Sequence, residues 1–439
     1  MDRARITLPA LLGLVALVLV LPRLGLHGFW FDEAYTARLA ALDWPRLIAS
    51  AKLDIHPPGW PLVAGIFVRL PIPAEWALRL PAALCFAVLV GLTGARNVWA
   101  GVALLLYAPL VEQAAQARPY VPLALGLVAI TRLVEQRRWA WSGIVAAMVS
   151  SLHALGGPLC VATLLATVPL QRPGRRDIAR VVVPQLVVCA CWLPSFATSA
   201  ADYLGSPWYT SSSAADWWIV ADAGGAAAAA LFVVIACLLQ DLRALAPAVC
   251  VGALLAALEL AGIGVEIRKT GIVLLPLLLV GLDSSRLSRL AALSSVAALG
   301  ATSVRIPDRP DLRDAHAAAE SLGGRIPVVS VFASEAAWYF RSPAPLPSFR
   351  EPQEIASRLV EVMEAQGSPC IISVTLPHTF PDPNTLPSGL RTVLVADVTG
   401  LDVRLVGNEE CSLSSPTGRW RLPRAADDAP GPCRTSVAL

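Results

Sequence analysis

The sequence predicts a polytopic α-helical membrane protein of about eleven transmembrane helices, followed by a small extracytoplasmic α/β domain. Three observations lead there. The 439-residue chain is 56% hydrophobic and only 15% charged, where soluble domains carry about 25% charged residues. Apolar runs recur through residues 1–304, separated by short polar turns. From 305 onward the pattern changes to short β-branched runs alternating with helical ones. The net charge of +3 is too small to point to nucleic acid as a partner.

The first run, 6–22, follows Arg3 and Arg5 and reads as a span rather than a cleavable signal. Further spans are predicted at 77–93, 98–111, 119–134, 139–153, 155–170, 178–196, 217–240, 244–262, 270–282 and 290–304. Small-residue clusters such as Gly224-Gly225-Ala226-Ala227 suit close helix packing in lipid. The segment 57–70 is apolar but short, about 21 Å as a helix, and opens on Pro57-Pro58. It reads as a juxtamembrane or re-entrant helix on the outer face.

Arginine placement sets the orientation. Arg132, Arg137 and Arg138 form one basic turn, and Arg172, Arg175, Arg176 and Arg180 form another. Both are assigned to the cytoplasm together with Arg3 and Arg5, and Arg243, Arg286 and Arg289 fall on the same side. That leaves 23–76, 112–118, the turn at Ala154, 197–216, 263–269 and the C-terminal region outside. A spanning helix at 57–70 would set the basic turns on its two sides in conflict.

Beyond the linker at 305–313, strands are predicted at 326–332, 370–376 and 393–398, with helices at 311–322 and 352–365. The α/β domain is thus expected over 305–411, and 412–439, rich in Pro, Arg, Asp and Ser, is expected to be a disordered tail. Of nine cysteines none forms a metal-type CxxC pair. Cys85, Cys160, Cys189, Cys191, Cys237 and Cys250 fall in apolar runs and read as core residues. Outside the cell Cys411 could pair with Cys433, although connectivity is not readable from sequence.

The candidate site comes from polar residues at the outer ends of spans. Phe29-Trp30-Phe31-Asp32-Glu33-Ala34-Tyr35 follows the first span directly, and two adjacent carboxylates beside hydrocarbon are costly without a role. Asp54-Ile55-His56-Pro57-Pro58 precedes the next apolar stretch, and Gln116-Ala117-Arg118-Pro119-Tyr120 begins an inward-running span. Arg268-Lys269 stands in the equivalent place before 270–282. Cations at that depth can grip a lipid phosphate, since guanidinium binds phosphate oxygens bidentately. A carboxylate there can deprotonate an acceptor attacking a sugar's anomeric carbon. Bland readings stand beside these: headgroup anchoring for the cations, and for Asp32 an N-cap of a surface helix over 33–42. His153, in Ser151-Leu152-His153-Ala154, reads first as a turn or packing residue and second as a donor contact.

Those three motifs, in that order, resemble the GT-C superfamily of integral-membrane glycosyltransferases. The likeness is greatest to the bacterial branch related to protein mannosyltransferases and lipid A aminoarabinose transferases, described as RgtA/B/C/D-like. Ile267-Arg268-Lys269-Thr270 is similar to an Arg-Tyr motif found there, with Lys269 in place of the aromatic residue. The resemblance covers 28–122 and, more weakly, 266–280. It implies a hexosyl- or pentosyltransferase with a polyprenyl-phosphate-linked sugar donor, an extracytoplasmic acceptor and an outer-face site in the cell membrane. It makes Asp32 the candidate base with Glu33 beside it. Asp54, His56, Arg118, Tyr120, Arg268 and Lys269 fall toward the donor and its phosphate. Some relatives use a divalent metal and others none; Asp32, Asp54 and His56 offer oxygen and nitrogen donors for one.

Two other classes compete. A lipid-linked sugar flippase is expected to place charges along a midplane path, commonly within paired repeats, whereas here the charges crowd one face. A noncatalytic scaffold would act through 305–439, where Ser334-Glu335 and Pro377-His378-Thr379 stand isolated.

Overall fold

The computed structural model describes residues 3–29, 31–204, 242–260, 273–277, 279, 312–320, 326–330, 344–345, 352–375, 386, 390–398, 401–408, 411–415 and 418–421. The spans expected at 217–240 and 290–304, and most of 270–282, lie outside the described residues. Contacts group the chain into two units, one of Met1–Gly25 with Leu39–Arg305 and one of Leu26–Arg38 with Ile306–Leu439.

The first unit is helical. Its elements are α1 (Arg3–Val20), α2 (Phe31–Ala41, whose first part belongs to the second unit), α3 (Trp44–Ala51), α4 (Gly59–Phe67), α5 (Ala74–Arg96), α6 (Val98–Leu106), α7 (Ala108–Ala114), α8 (Tyr120–Glu135), α9 (Trp139–Leu152), α10 (Gly156–Thr167), α11 (Arg175–Leu204) and α12 (Leu242–Leu260). The single span predicted over 98–111 is broken at Tyr107, whose backbone is extended. Pro109 at the start of α7 explains the break: it has no N–H to continue the ladder and its ring crowds the preceding turn. The segment 57–70 contains the short helix α4, ending at Phe67.

Among the described residues, two helices are long and apolar enough to cross a bilayer by length and composition, Ala74–Arg96 and Arg175–Ala197. They sit differently: 61% of the apolar stretch is buried in the first and 11% in the second. Val183, Leu186, Val187 and Leu193 of α11 are exposed, as are Leu11, Leu14 and Val18 of α1. Water penalises such faces and hydrocarbon does not.

The core is built where α1 packs on α5, α5 on α6 and α8, and α8 on α9. Phe86, Leu89, Leu104, Leu110, Leu123, Leu127 and Ile130 are fully buried there. On the far side α9 packs on α11, and Gly143 lets them meet: an added Cβ would strike the Arg180 carbonyl. Several buried hydroxyls are satisfied within their own helices: Thr131 donates to Leu127 O at 3.0 Å and Ser150 to Ala146 O at 2.8 Å. This suits a helix in a medium that offers no water.

Helix ends that charge placement puts on one side meet. Arg96 at the end of α5 donates to Glu135 at the end of α8, at 2.9 and 3.0 Å, and Arg132 joins them at 3.1 Å.

The second unit holds a small α/β fold. Its elements are α13 (Leu312–Glu320), β1 (Val328–Ser330), β2 (Ala344–Pro345), α14 (Pro352–Gln366), β3 (Cys370–Thr375), β4 (Arg391–Val398), β5 (Leu401–Gly407), β6 (Ser412–Ser415) and β7 (Gly418–Arg421). Among the described residues the main sheet has five strands, ordered β2-β1-β3-β5-β4. β1 runs parallel to β2 and β3, while β5 runs antiparallel to both β3 and β4. Ile371, Ile372 and Val374 of β3 are buried, as a central strand requires. Leu359, Val362 and Met363 of α14 cover Ile371 and Val406, and α13 packs on β4 and β5.

Two sequence expectations are corrected in this unit. Cys411 is bonded to Cys370 rather than to Cys433; strand β3 brings Cys370 beside the turn after β5, where Asn408 donates to the Pro369 carbonyl at 3.1 Å. The first part of the expected tail is the hairpin of β6 and β7, in which Ser412 pairs with Arg421 and Leu413 with Trp420.

Candidate functional site

The acidic motif lies in the first turn of α2. The helix begins at Phe31, so Asp32 is inside the turn and not at its N-cap, which corrects the capping expectation. Thr36 Oγ1 donates to the Asp32 carbonyl at 2.9 Å, closing the turn. Glu33 is buried and Asp32 half-buried. Both carboxylates stand in the first turn of α2, at the positive end of its helix dipole. Further along, Arg38 reaches back over the Tyr35 ring, 5.8 Å from its centroid.

A second cluster forms within the helical unit. The loop before α4 is shaped by its own residues: Asp54 Oδ1 accepts the His56 backbone N–H at 3.0 Å, an Asx turn. Pro57 and Pro58 then stiffen the entry to α4. Three neighbours hold this loop. Trp192 Nε1 of α11 donates to the Ile55 carbonyl at 3.4 Å, and Trp60 Nε1 donates to the Ala117 carbonyl at 2.9 Å. Gly59 rests on the Ser151 carbonyl at the end of α9, where any Cβ would collide.

The anchored loop sets His56 against His153, with ring centroids 4.3 Å apart and planes tilted by 31°. His153 lies 5.5 Å from Tyr120, ring to ring. Arg118 donates from Nη2 to the Tyr120 hydroxyl at 3.1 Å, with its Cζ 5.2 Å from that ring's centroid. The four side chains make one row, from the 54–58 loop through the end of α9 to the start of α8. Next to it, Gln116 is buried and donates to Glu112 at 3.2 Å.

His153 Nδ1 accepts the Leu155 N–H at 3.1 Å, so that nitrogen is unprotonated and the ring's proton sits on Nε2. A half-buried guanidinium held over a phenol ring keeps its planar fork in one orientation, the geometry that suits a phosphate.

Of the residues predicted from sequence, Asp54, His56, Arg118 and Tyr120 come together in the helical unit. Asp32 and Glu33 belong to the unit of Leu26–Arg38 and Ile306–Leu439. Arg268 and Lys269 lie outside the described residues. The structure adds His153 to this cluster, a residue the sequence presents first as a turn or packing residue, at the end of a span beside Gly156-Gly157. Among the described residues no three His, Cys, Asp or Glu side chains gather, and Asp54 Oδ1 accepts from its own loop.

No family model matches the chain, and no curated protein does. Among solved structures, the crystal structure of ArnT from Cupriavidus metallidurans in the apo state is similar at a TM-score of 0.47 with 16% identity, over 90% of this chain and 97% of that one.

Proposed function

We propose that the chain is a membrane-embedded glycosyltransferase, transferring a sugar from a polyprenyl-phosphate-linked donor to an acceptor on the extracytoplasmic face. The observation that carries the reading is the row His56–His153–Tyr120–Arg118. It places one oriented guanidinium and two imidazoles at helix ends that charge placement assigns to the outer side. A guanidinium with two imidazoles beside it there fits a lipid phosphate better than a transmembrane path, which favours transfer over flipping.

In this reading Arg118, held by Tyr120, binds the donor phosphate and stabilises the charge that grows on it as it leaves. His56 approaches the same phosphate from the loop fixed by Asp54. Arg268 and Lys269 join them on the strength of the sequence motif alone. Asp32 is the base, with Glu33 beside it. The acceptor's oxygen or nitrogen attacks the anomeric carbon while its proton passes to the Asp32 carboxylate. The bond from that carbon to the phosphate oxygen breaks with its electron pair, releasing polyprenyl phosphate. A single displacement inverts the anomeric centre.

An oxidising compartment for the second unit agrees with this orientation, because the Cys370–Cys411 disulfide persists outside the cytosol and not within it. The reading is tested by incubating the purified full chain with polyprenyl-phosphate sugars and envelope extracts. Release of polyprenyl phosphate with an inverted glycosidic product supports it. Intact donor throughout the panel contradicts it.

A further inference from the structure

The geometry assigns to His153 the task of positioning both His56 and Arg118, as the side chain that joins the 54–58 loop to the start of α8. This rests on the reading of Arg118 as the donor-phosphate ligand.

His153 is buried at the junction between α9 and α10. Its backbone is extended there, leaving the helix, and the side chain turns back between two other rings. On one side it lies 4.3 Å from His56 and on the other 5.5 Å from Tyr120. Tyr120 in turn accepts from Arg118 at 3.1 Å. Shifting His153 therefore moves both phosphate-facing groups at once. Trp60 and Gly59 tie the same segments by backbone contacts, so the loop stays in place without His153. What the imidazole adds is the orientation of the two functional side chains.

The residue has two separable properties. Its ring packs against His56 and Tyr120, and its Nδ1 accepts from Leu155. A turn-forming role needs only the acceptor. A positioning role needs the ring. His153→Phe keeps a flat ring and removes the acceptor, whereas His153→Asn keeps a short acceptor and removes the ring.

The experiment uses the full chain in lipid nanodiscs with polyprenyl phosphate as probe, for wild type, His153→Phe, His153→Asn and His153→Ala. Binding is read alongside thermal stability, and nitrogen-15 spectra of the imidazoles follow His56 directly. Loss of the ring contacts is expected to weaken binding about three- to tenfold in the Asn and Ala variants. The Phe variant should stay within about twofold of wild type on the same grounds. The His56 resonances should move in the Asn and Ala proteins and stay put in the Phe protein, with or without the lipid.

Recovery by Asn and not by Phe would overturn the assignment and leave His153 as a turn residue. Wild-type affinity and unshifted His56 resonances in every variant would do the same. If wild type itself does not bind polyprenyl phosphate, the glycosyltransferase reading fails instead. The lipid-free His56 spectra then still decide, Phe-specific retention supporting positioning of His56 and its absence overturning it.

Discussion

His56 and His153 lie ring against ring, centroids 4.3 Å apart, although one sits in a loop before a short helix and the other at the end of a long one. The contact joins segments that sequence alone presents as unrelated. Through Tyr120 it leads to Arg118, the cation assigned to the donor phosphate.

Arg118 should therefore act mainly on donor binding. Arg118→Ala is expected to raise the KM for the lipid-linked donor about 10- to 100-fold, the loss of one or two charge-assisted hydrogen bonds. Arg118→Lys keeps the charge but not the planar fork and should recover only part. Steady-state kinetics against donor concentration checks both; an unchanged KM would remove Arg118 from the phosphate.

Gly59 tests the anchoring of the loop. A methyl group there meets the Ser151 carbonyl, and backbone cannot yield as a side-chain tip can. Gly59→Ala should lower stability by about 1–3 kcal/mol, and the His56 contact with His153 should loosen. Thermal unfolding in detergent measures the first effect. An unchanged Tm would show that the helix end gives way freely.

The disulfide of the second unit gives a test that is independent of activity. Cys370 and Cys411 should resist alkylation until reductant is added. Cys370→Ser together with Cys411→Ser should destabilise this unit by about 2–4 kcal/mol. Alkylation of unreduced protein at these positions would contradict the bond and the compartment together.

How much of this could be read beforehand varies by element. α8 was legible because Pro119 precedes its first residue and a basic turn follows its last. The break between α6 and α7 was not, because Ala108-Pro109 lies within an unbroken apolar run and hydropathy does not register a missing N–H. β5 escaped notice although Gly400 precedes it and Asp402 and Arg404 alternate with Leu401, Val403 and Leu405, because alternation over so short a stretch is a weak signal. Asp54, His56, Arg118 and Tyr120 were singled out by their placement at span ends, and the fold brings them into one region. His153 was not ranked with them, since a lone histidine in a turn has no pattern of its own. Its contacts with His56 and Tyr120 arise only in the fold. The pairing of Cys411 with Cys370 likewise depends on the register between β3 and β5, which cysteine counting does not encode.

The central claim is that Asp32 removes the acceptor's proton during sugar transfer. It is tested most directly by comparing wild type with Asp32→Asn, using a labelled polyprenyl-phosphate sugar and the acceptor that supports turnover. The account predicts a loss of about 10²- to 10⁴-fold in kcat for the variant, with its Tm and its affinity for polyprenyl phosphate near those of wild type. Equal turnover by the two proteins, or labelled lipid crossing reconstituted vesicles with no sugar transferred, would contradict it.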